Sequence, residues 1–192
     1  MTRIVIVYHS GFGHTAAVAQ SVLDGTRAVA GVDAALINAD DLKDPADGRT
    51  LGPEWDVLHQ ADAIVFGCPT YMGTVSAGFK RFMDASGHVW GEQRWRDKVG
   101  AGFTVAGGLS GDKLNTLVAL SVFAAQHSMI WVSQGIMGDE TVNRMGSYLG
   151  CMAQAGEAPP QETPPTEDHE TARRFGERVA TAAARWVAGR GD

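Results

Sequence analysis

The chain is poor in several features that would place a protein at once. Only two cysteines, Cys68 and Cys151, occur among its 192 residues. That is too few for a disulfide framework, and neither stands at a metal-ligand spacing. Both read as reduced, small core residues, with a reactive thiol at Cys68 as the alternative. Blocks of like charge are missing too. The 16 basic and 22 acidic residues leave a net charge of -6 with no basic run, which argues against nucleic acid or an anionic membrane as the main partner. No apolar run approaches a bilayer span, and the N-terminus enters a strand directly, so a soluble, cytoplasmic protein is expected. His, Cys and carboxylate clusters at ligand spacing are absent, so no metal site is expected. Internal repeats are absent as well. At 44% hydrophobic and 20% charged residues, the 192-residue chain suits a single domain, 1–192, with a substantial core.

What is present is an alternation. Short apolar runs at residues 3–8, 33–38, 63–67, 99–105 and 129–133 read as strands covered on both faces. Helical patterns lie between them. Ala19, Val22 and Leu23 share a face of the first helix, and Phe79, Phe82 and Met83 a face of the third. Leu114, Leu117, Val118, Ser121 and Ala125 do so in the fourth. Ala172, Phe175, Val179, Ala182 and Trp186 repeat along the last helix, with Thr166 as its N-cap. A short second helix falls near residues 53–60. Strands alternating with helices imply a parallel sheet with right-handed crossovers, and ligands bind such sheets beyond the strand C-termini at the switch point of the winding. Two stretches read as irregular: the polar residues 40–52, and residues 135–165 with Pro159-Pro160 and Pro164-Pro165. A loop as long as the second covers a site, mediates contacts or is disordered.

Three loops would meet at that switch point. Ser10, Gly11, Phe12, Gly13, His14 and Thr15 join the first strand to a helix N-terminus, where free N–H groups and the helix dipole favour an anion. This reads as a phosphate cradle, or else as an ordinary strand-to-helix turn. After the third strand come Pro69, Thr70, Tyr71, Met72 and Gly73. Pro69 fixes a sharp exit, and Tyr71 and Met72 suit contact with an aromatic ring, or are simply core side chains. After the fourth strand come Gly107, Gly108, Leu109, Ser110, Gly111 and Asp112. Their glycines allow the backbone to run close to something planar, or else form a flexible tip. His127, closing the fourth helix, reads alone as a dipole partner or core residue.

Residues 8–15, 69–73, 77–84, 107–112 and 126–129 together resemble the flavodoxin-like family, most of all NAD(P)H:quinone oxidoreductases of the tryptophan-repressor-binding-protein type. The likeness extends over most of the chain, into the tail at Phe175-Gly176. It implies a five-stranded parallel sheet in the order 2-1-3-4-5, with helices on both faces and FMN at the switch point. Residues 10–15 would hold the FMN phosphate, and Thr70, Tyr71, Met72 and residues 107–112 would line the isoalloxazine. His127 matches a histidine that reaches the flavin site. Trp90 matches a tryptophan on the substrate side, contributed across a subunit contact, and Phe12 matches a position associated with nicotinamide nucleotide. The implied activity is two-electron transfer from NADH or NADPH to a small-molecule quinone, with the flavin carrying the chemistry and no catalytic side chain. A homodimer or homotetramer is implied.

The chain departs from the family in having Tyr71 where an Arg is usual, fewer glycines in residues 107–112 and a shorter insertion after the second strand. These departures bear on the substrate, the nicotinamide and the oligomer more than on the flavin. An electron-carrier flavodoxin and a non-catalytic FMN-binding regulator are the alternatives. A receiver-type phosphate sensor would need an acidic cluster at the strand ends, where Tyr8-His9-Ser10 stands instead.

Overall fold

Alternate residues of the first strand feed two separate cores. Ile4 and Ile6 are buried on one side, and Val5 and Val7 on the other. A strand with both faces apolar must be covered twice, and that fixes a three-layer arrangement. The structure, a computed structural model, describes residues 1–45 and 50–190. The stretch expected to be irregular at 40–52 therefore lies partly outside the described residues.

In chain order the elements are β1 (Thr2–Tyr8), α1 (His14–Arg27), β2 (Val32–Asn38), α2 (Asp56–Gln60), β3 (Ala63–Tyr71), β4 (Thr74–Val75), α3 (Ala77–Ala85), α4 (Gly87–Gly91), β5 (Val99–Ala106), α5 (Lys113–Gln126), β6 (Ile130–Trp131), β7 (Cys151–Gln154) and α6 (Thr166–Gly189). The main sheet runs β2-β1-β3-β5-β6, all parallel. This is the flavodoxin-like order, since β4 only forms a small hairpin with β3.

Helices α1 and α6 cover the face holding Ile4, Ile6 and Val65, with Phe175 of α6 in the same core. They cross at two glycines. A Cβ on Gly25 would overlap the carbonyl oxygen of Arg173, and one on Gly176 would overlap that of Val22. Helices α2, α3 and α5 cover the other face, where Phe66, Phe79, Phe82, Trp95 and Phe123 form an aromatic cluster. Ser76 caps α3 by accepting a bond from the Phe79 N–H.

Four expectations are corrected here. The fifth strand is not one run at 129–133 but two segments on the same edge: β6 pairs with the start of β5, and β7 pairs with its end. Residues 135–165 therefore contain a strand. Cys-Met-Ala-Gln has no β-branched residue to announce it, and only the open edge of β5 makes it one. Strand β3 runs on through Pro69 to Tyr71. Because β1 ends at Tyr8, beside Gly67, Pro69 removes no ladder bond on that side. Helix α5 buries Leu117, Leu120, Phe123 and Ala124, while Leu114, Val118 and Val122 are exposed at 58%, 42% and 54%. It is apolar on both sides, so spacing alone could not choose the inner one. Finally, the residue before α6 is Pro165, with Thr166 as the first helical position.

Candidate functional site

The C-terminal ends of β1, β3, β5 and β7 surround a cleft of about 630 Å³. It opens where the chain leaves β1 in one direction and β3 in the other, the switch point of the sheet.

The first wall is the turn into α1. Gly13 has φ +93° and precedes the helix with no side-chain cap. Ser10 shapes the turn: its Oγ accepts hydrogen bonds from the N–H groups of Gly13 at 3.1 Å and Ala16 at 3.2 Å. The N–H groups of His14 and Thr15 have no acceptor among the described residues. Thr15, buried, and Phe12 and His14 line the cleft. A helix N-terminus with open donors accepts an anion.

The second wall is Pro69, Thr70 and Tyr71. The Thr70 hydroxyl is not free. Thr104 Oγ1 donates to the Cys68 carbonyl at 2.7 Å, so it accepts from Thr70 at 2.8 Å, and Thr70 in turn accepts from Thr116 at 2.7 Å. This relay fixes the end of β3 to β5 and α5. Tyr71 reaches across to the first loop, where a Cβ on Gly11 would come 2.5 Å from its hydroxyl. Its ring meets Phe12 edge-on at 6.3 Å. Burial pushes the Tyr71 phenol pKa upward, so its proton stays on. Met72 and Gly73, with φ 49° and 81°, form the two-residue tip of the β3–β4 hairpin. Met72 is fully exposed and neither residue lines the cleft.

The third wall is Val105, Ala106 and Gly107. Of the predicted loop only Gly107 faces this cleft. Leu109, Ser110 and Asp112 line a neighbouring groove of about 990 Å³, shared with Arg144 and Tyr148. Gly111 and Asp112 take positive φ as the chain turns into α5.

A fourth wall comes from the long loop at 135–165, which takes the covering role among the three readings open to it. Ala155, Gly156, Glu157, Ala158, Pro159 and Pro160, following β7, also line the cleft. Pro160 lies on Gly13, and His14 Nε2 donates to the Ala158 carbonyl at 2.8 Å. The sequence signal was present in the turn-forming Ala-Gly-Glu-Ala-Pro-Pro run, but without β7 nothing anchored that run to the sheet's upper edge.

Besides the tips of the second and third loops, His127 and Trp90 are not brought to the cleft within one chain. His127 closes α5 at its far end, buried between Trp95 at 4.4 Å and Phe123 at 4.9 Å. Its Nε2 pairs with Ser86 Oγ, its Nδ1 has no partner among the described residues, and burial holds its pKa down to about 4. Trp90 lies exposed on α4. The thiol readings also separate. Burial pushes Cys68 up to about 12 and raises Cys151 as well, so neither is a thiolate at neutral pH. Among the described residues no group of His, Cys and carboxylates could hold a metal, and no helix is long and apolar enough to cross a membrane.

The walls suit a ligand with an anionic tail and a flat apolar body. The open amides lie at one end, and Pro69, Val105, Ala106 and Pro160 supply apolar surface beside them. The volume falls within the range of cofactor sites. FMN fits this donor set on the geometry of the cradle.

Comparison with known proteins points the same way. A family model described as NADPH-dependent FMN reductase matches residues 13–142. A curated protein of Pseudomonas aeruginosa named Flavodoxin FldP is 37% identical, over 94% of this chain and 96% of its own length. An NAD(P)H dehydrogenase (quinone) of Archaeoglobus fulgidus is 32% identical, over 95% and 98%. The crystal structure of a flavodoxin, WrbA-like protein from Agrobacterium tumefaciens aligns with a TM-score of 0.75 at 41% identity, covering 96% of this chain and 99% of that one.

Proposed function

The chain belongs to the NADPH-dependent FMN reductase family, and on that premise we propose that it transfers two electrons from NAD(P)H to a quinone. It is an oxidoreductase that uses FMN, with NAD(P)H as the electron donor. When bound, FMN supplies the chemistry by taking a hydride from the nicotinamide and passing two electrons to the acceptor.

The protein's own residues bind and orient. The open N–H groups of His14 and Thr15, with the Thr15 hydroxyl, would hold the phosphate, and Gly13 lets the chain turn there without a side chain in the way. Pro69 and Tyr71 on one side, and Val105 to Gly107 with Ala155 to Pro160 on the other, would hold the ring and exclude water from one of its faces. The bond from His14 to Ala158 ties the fourth wall to the cradle. Phe12, exposed at the mouth beside Tyr71, would meet the nicotinamide and the quinone in turn.

The observation that carries this reading is the convergence of the open His14 and Thr15 N–H groups at the start of α1 and apolar strand ends on one cleft. Two relatives named NAD(P)H dehydrogenase (quinone) and covering nearly the whole chain support the acceptor class. The test is to mix the purified protein with FMN, NADH or NADPH, and benzoquinone. Acceptor-dependent oxidation of either nucleotide is expected, and its absence with FMN bound removes the proposal.

A relative named flavodoxin at 37% identity supports a second reading, an electron carrier. A stable one-electron-reduced flavin with a very low second potential would favour it. We further propose that the chain self-associates. The outer side of α5 presents Leu114, Val118 and Val122, and between Lys113 and Gln126 the helix carries no charged residue. Trp90 would serve a site only across such a contact. Light scattering on the eluting protein should give a dimer or tetramer mass, and a monomer mass removes this part.

A further inference from the structure

The fourth wall is bonded within itself and tied to the rest of the chain at few points. At its start, the N–H groups of Ala155 and Gly156 donate to the carbonyls of Ala106 and Gly107, at 2.8 and 3.2 Å, prolonging the ladder of β7 on β5. Beyond Gly156 that ladder stops, and the chain bonds to itself. The N–H groups of Glu162 and Thr163 donate to the Pro159 carbonyl at 2.9 and 3.1 Å, and Thr163 Oγ1 donates to the Ala158 carbonyl at 3.1 Å. Pro159 and Pro160 stiffen this turn by fixing their own φ angles. Gly156, just before it, has φ +63° and nothing within 4 Å of where a Cβ would stand. A stiff turn after an uncrowded glycine has the form of a hinged flap.

One side chain holds that flap to the cradle. Among the described residues, the only polar bond from residues 157–163 to the rest of the chain runs from His14 Nε2 to the Ala158 carbonyl, at 2.8 Å. Pro160 against Gly13 adds an apolar contact. A carbonyl only accepts, so Nε2 carries the proton in the neutral ring and in the imidazolium alike. The bond is therefore indifferent to protonation at Nδ1. His14 and Ala158 both line the cleft, and the His14 N–H is one of the open donors at the start of α1. One residue thus serves both sides: its backbone offers a donor to the anion, and its ring holds the flap.

We propose that His14 is a positioning residue whose imidazole latches the flap, hinged at Gly156, over the occupied cradle and so sets how long FMN stays bound. This rests on the reading that FMN occupies that cleft. A phosphate held by the His14 N–H fixes the first turn of α1, and with it the ring that holds Ala158. The flap covers the cradle end of the cleft, so release waits for the His14–Ala158 bond to open. An unlatched flap obstructs entry no more than a latched one, so losing the bond acts on release rather than on association.

The test compares the full-length wild type with His14→Leu, which keeps bulk without a donor, and His14→Gln, which keeps both. All three retain the backbone N–H. Circular dichroism checks the fold, and flavin fluorescence follows binding and release. His14→Leu should release FMN about tenfold faster with its association rate changed less than about threefold, and His14→Gln should release it within about threefold of wild type. Equal release from all three overturns the proposal, and so does His14→Gln behaving like His14→Leu, since bulk alone would then matter. A second readout needs no cofactor. Amide exchange at residues 157–163 of the FMN-free protein should be faster in His14→Leu than in wild type, with β1 unchanged, and equal exchange in the flap overturns the latch. If His14→Leu does not fold, His14→Asn, whose amide stops short of Ala158, takes its place in both measurements. Wild type that binds no FMN strikes down the functional reading itself, and the FMN-free exchange then judges the latch separately.

Discussion

Pro160 rests directly on Gly13: a Cβ added to that glycine would lie 2.8 Å from the proline Cγ. The contact joins the first loop of the chain to a segment nearly at its end, and it is where the cradle acquires its lid. Gly13 meets two demands there, a φ of +93° and the absence of a side chain under Pro160.

Gly13→Ala should fail on both counts. A left-handed conformation costs an L-residue about 1–2 kcal/mol, and displacing Pro160 adds to it. Urea unfolding should show a loss of about 1–3 kcal/mol, with weaker FMN binding alongside. Unchanged stability would mean that the lid does not bear on the cradle.

Thr15→Glu puts a carboxylate beside the open amides of α1. Repulsion with a phosphate, and occupation of the same N–H groups, should weaken FMN binding by about 100-fold or more. Fluorescence titration checks this, with riboflavin as a control. Riboflavin lacks the phosphate, so its affinity should change far less. Survival of FMN affinity would move the phosphate elsewhere.

Asp168→Asn leaves Arg144 without its bidentate carboxylate in a largely buried site. Breaking a buried pair on one side costs about 3–5 kcal/mol. The cost should fall on the 144–154 region first, because Asp168 also holds the Gln154 N–H. Hydrogen exchange should speed up in β7 before it does in β1. Equal exchange in both strands would make the pair peripheral.

His127 should make stability depend on pH. Its folded pKa of about 4 lies below its unfolded value near 6.5. Between those values the unfolded chain binds the extra proton, so unfolding becomes easier as pH falls from 6.5 towards 4. The full effect is of order 3 kcal/mol. His59, also lowered chiefly by burial, contributes in the same direction. Urea midpoints measured between about pH 4.5 and about pH 7.5 should show a shallower slope in His127→Gln. An identical slope would mean that His127 does not titrate as a buried base.

Cys68 and Cys151 should resist a thiol reagent in the folded protein and both react in denaturant, because burial raises both thiols. Rapid labelling of Cys68 in the native state would restore the reactive-thiol reading.

The order of layers, the parallel sheet and the loops at its upper edge follow from local chemistry. Val5-Ile6-Val7 and Ile64-Val65-Phe66 are apolar on both sides, so they require two coats of helix, and the alternating pattern requires crossovers. The turn at Ser10 to Thr15 is equally local, since an apolar strand running into Gly-Phe-Gly and then a helix leaves the amides of that helix open. Three other features were illegible for a common reason. Strand β7 exists because β5 offers it an edge, the inner face of α5 is chosen by what packs against it, and the Thr70 hydroxyl is consumed by Thr104 and Thr116. Each is a property of a pair of distant segments. The burial of His127 away from the cleft is of the same kind, and so is the place of the 155–160 wall, though a covering role for its loop was one of the readings open in the sequence.

Periodicity and turn chemistry act over a few residues, so the chain alone settled the alternation of the main strands and helices and the turn that leaves the first amides of α1 open. Which apolar faces turn inward, which hydroxyls remain free and what lies over Gly13 depend on contacts between residues far apart in sequence. No local pattern encodes those contacts, and only the packed fold decides them.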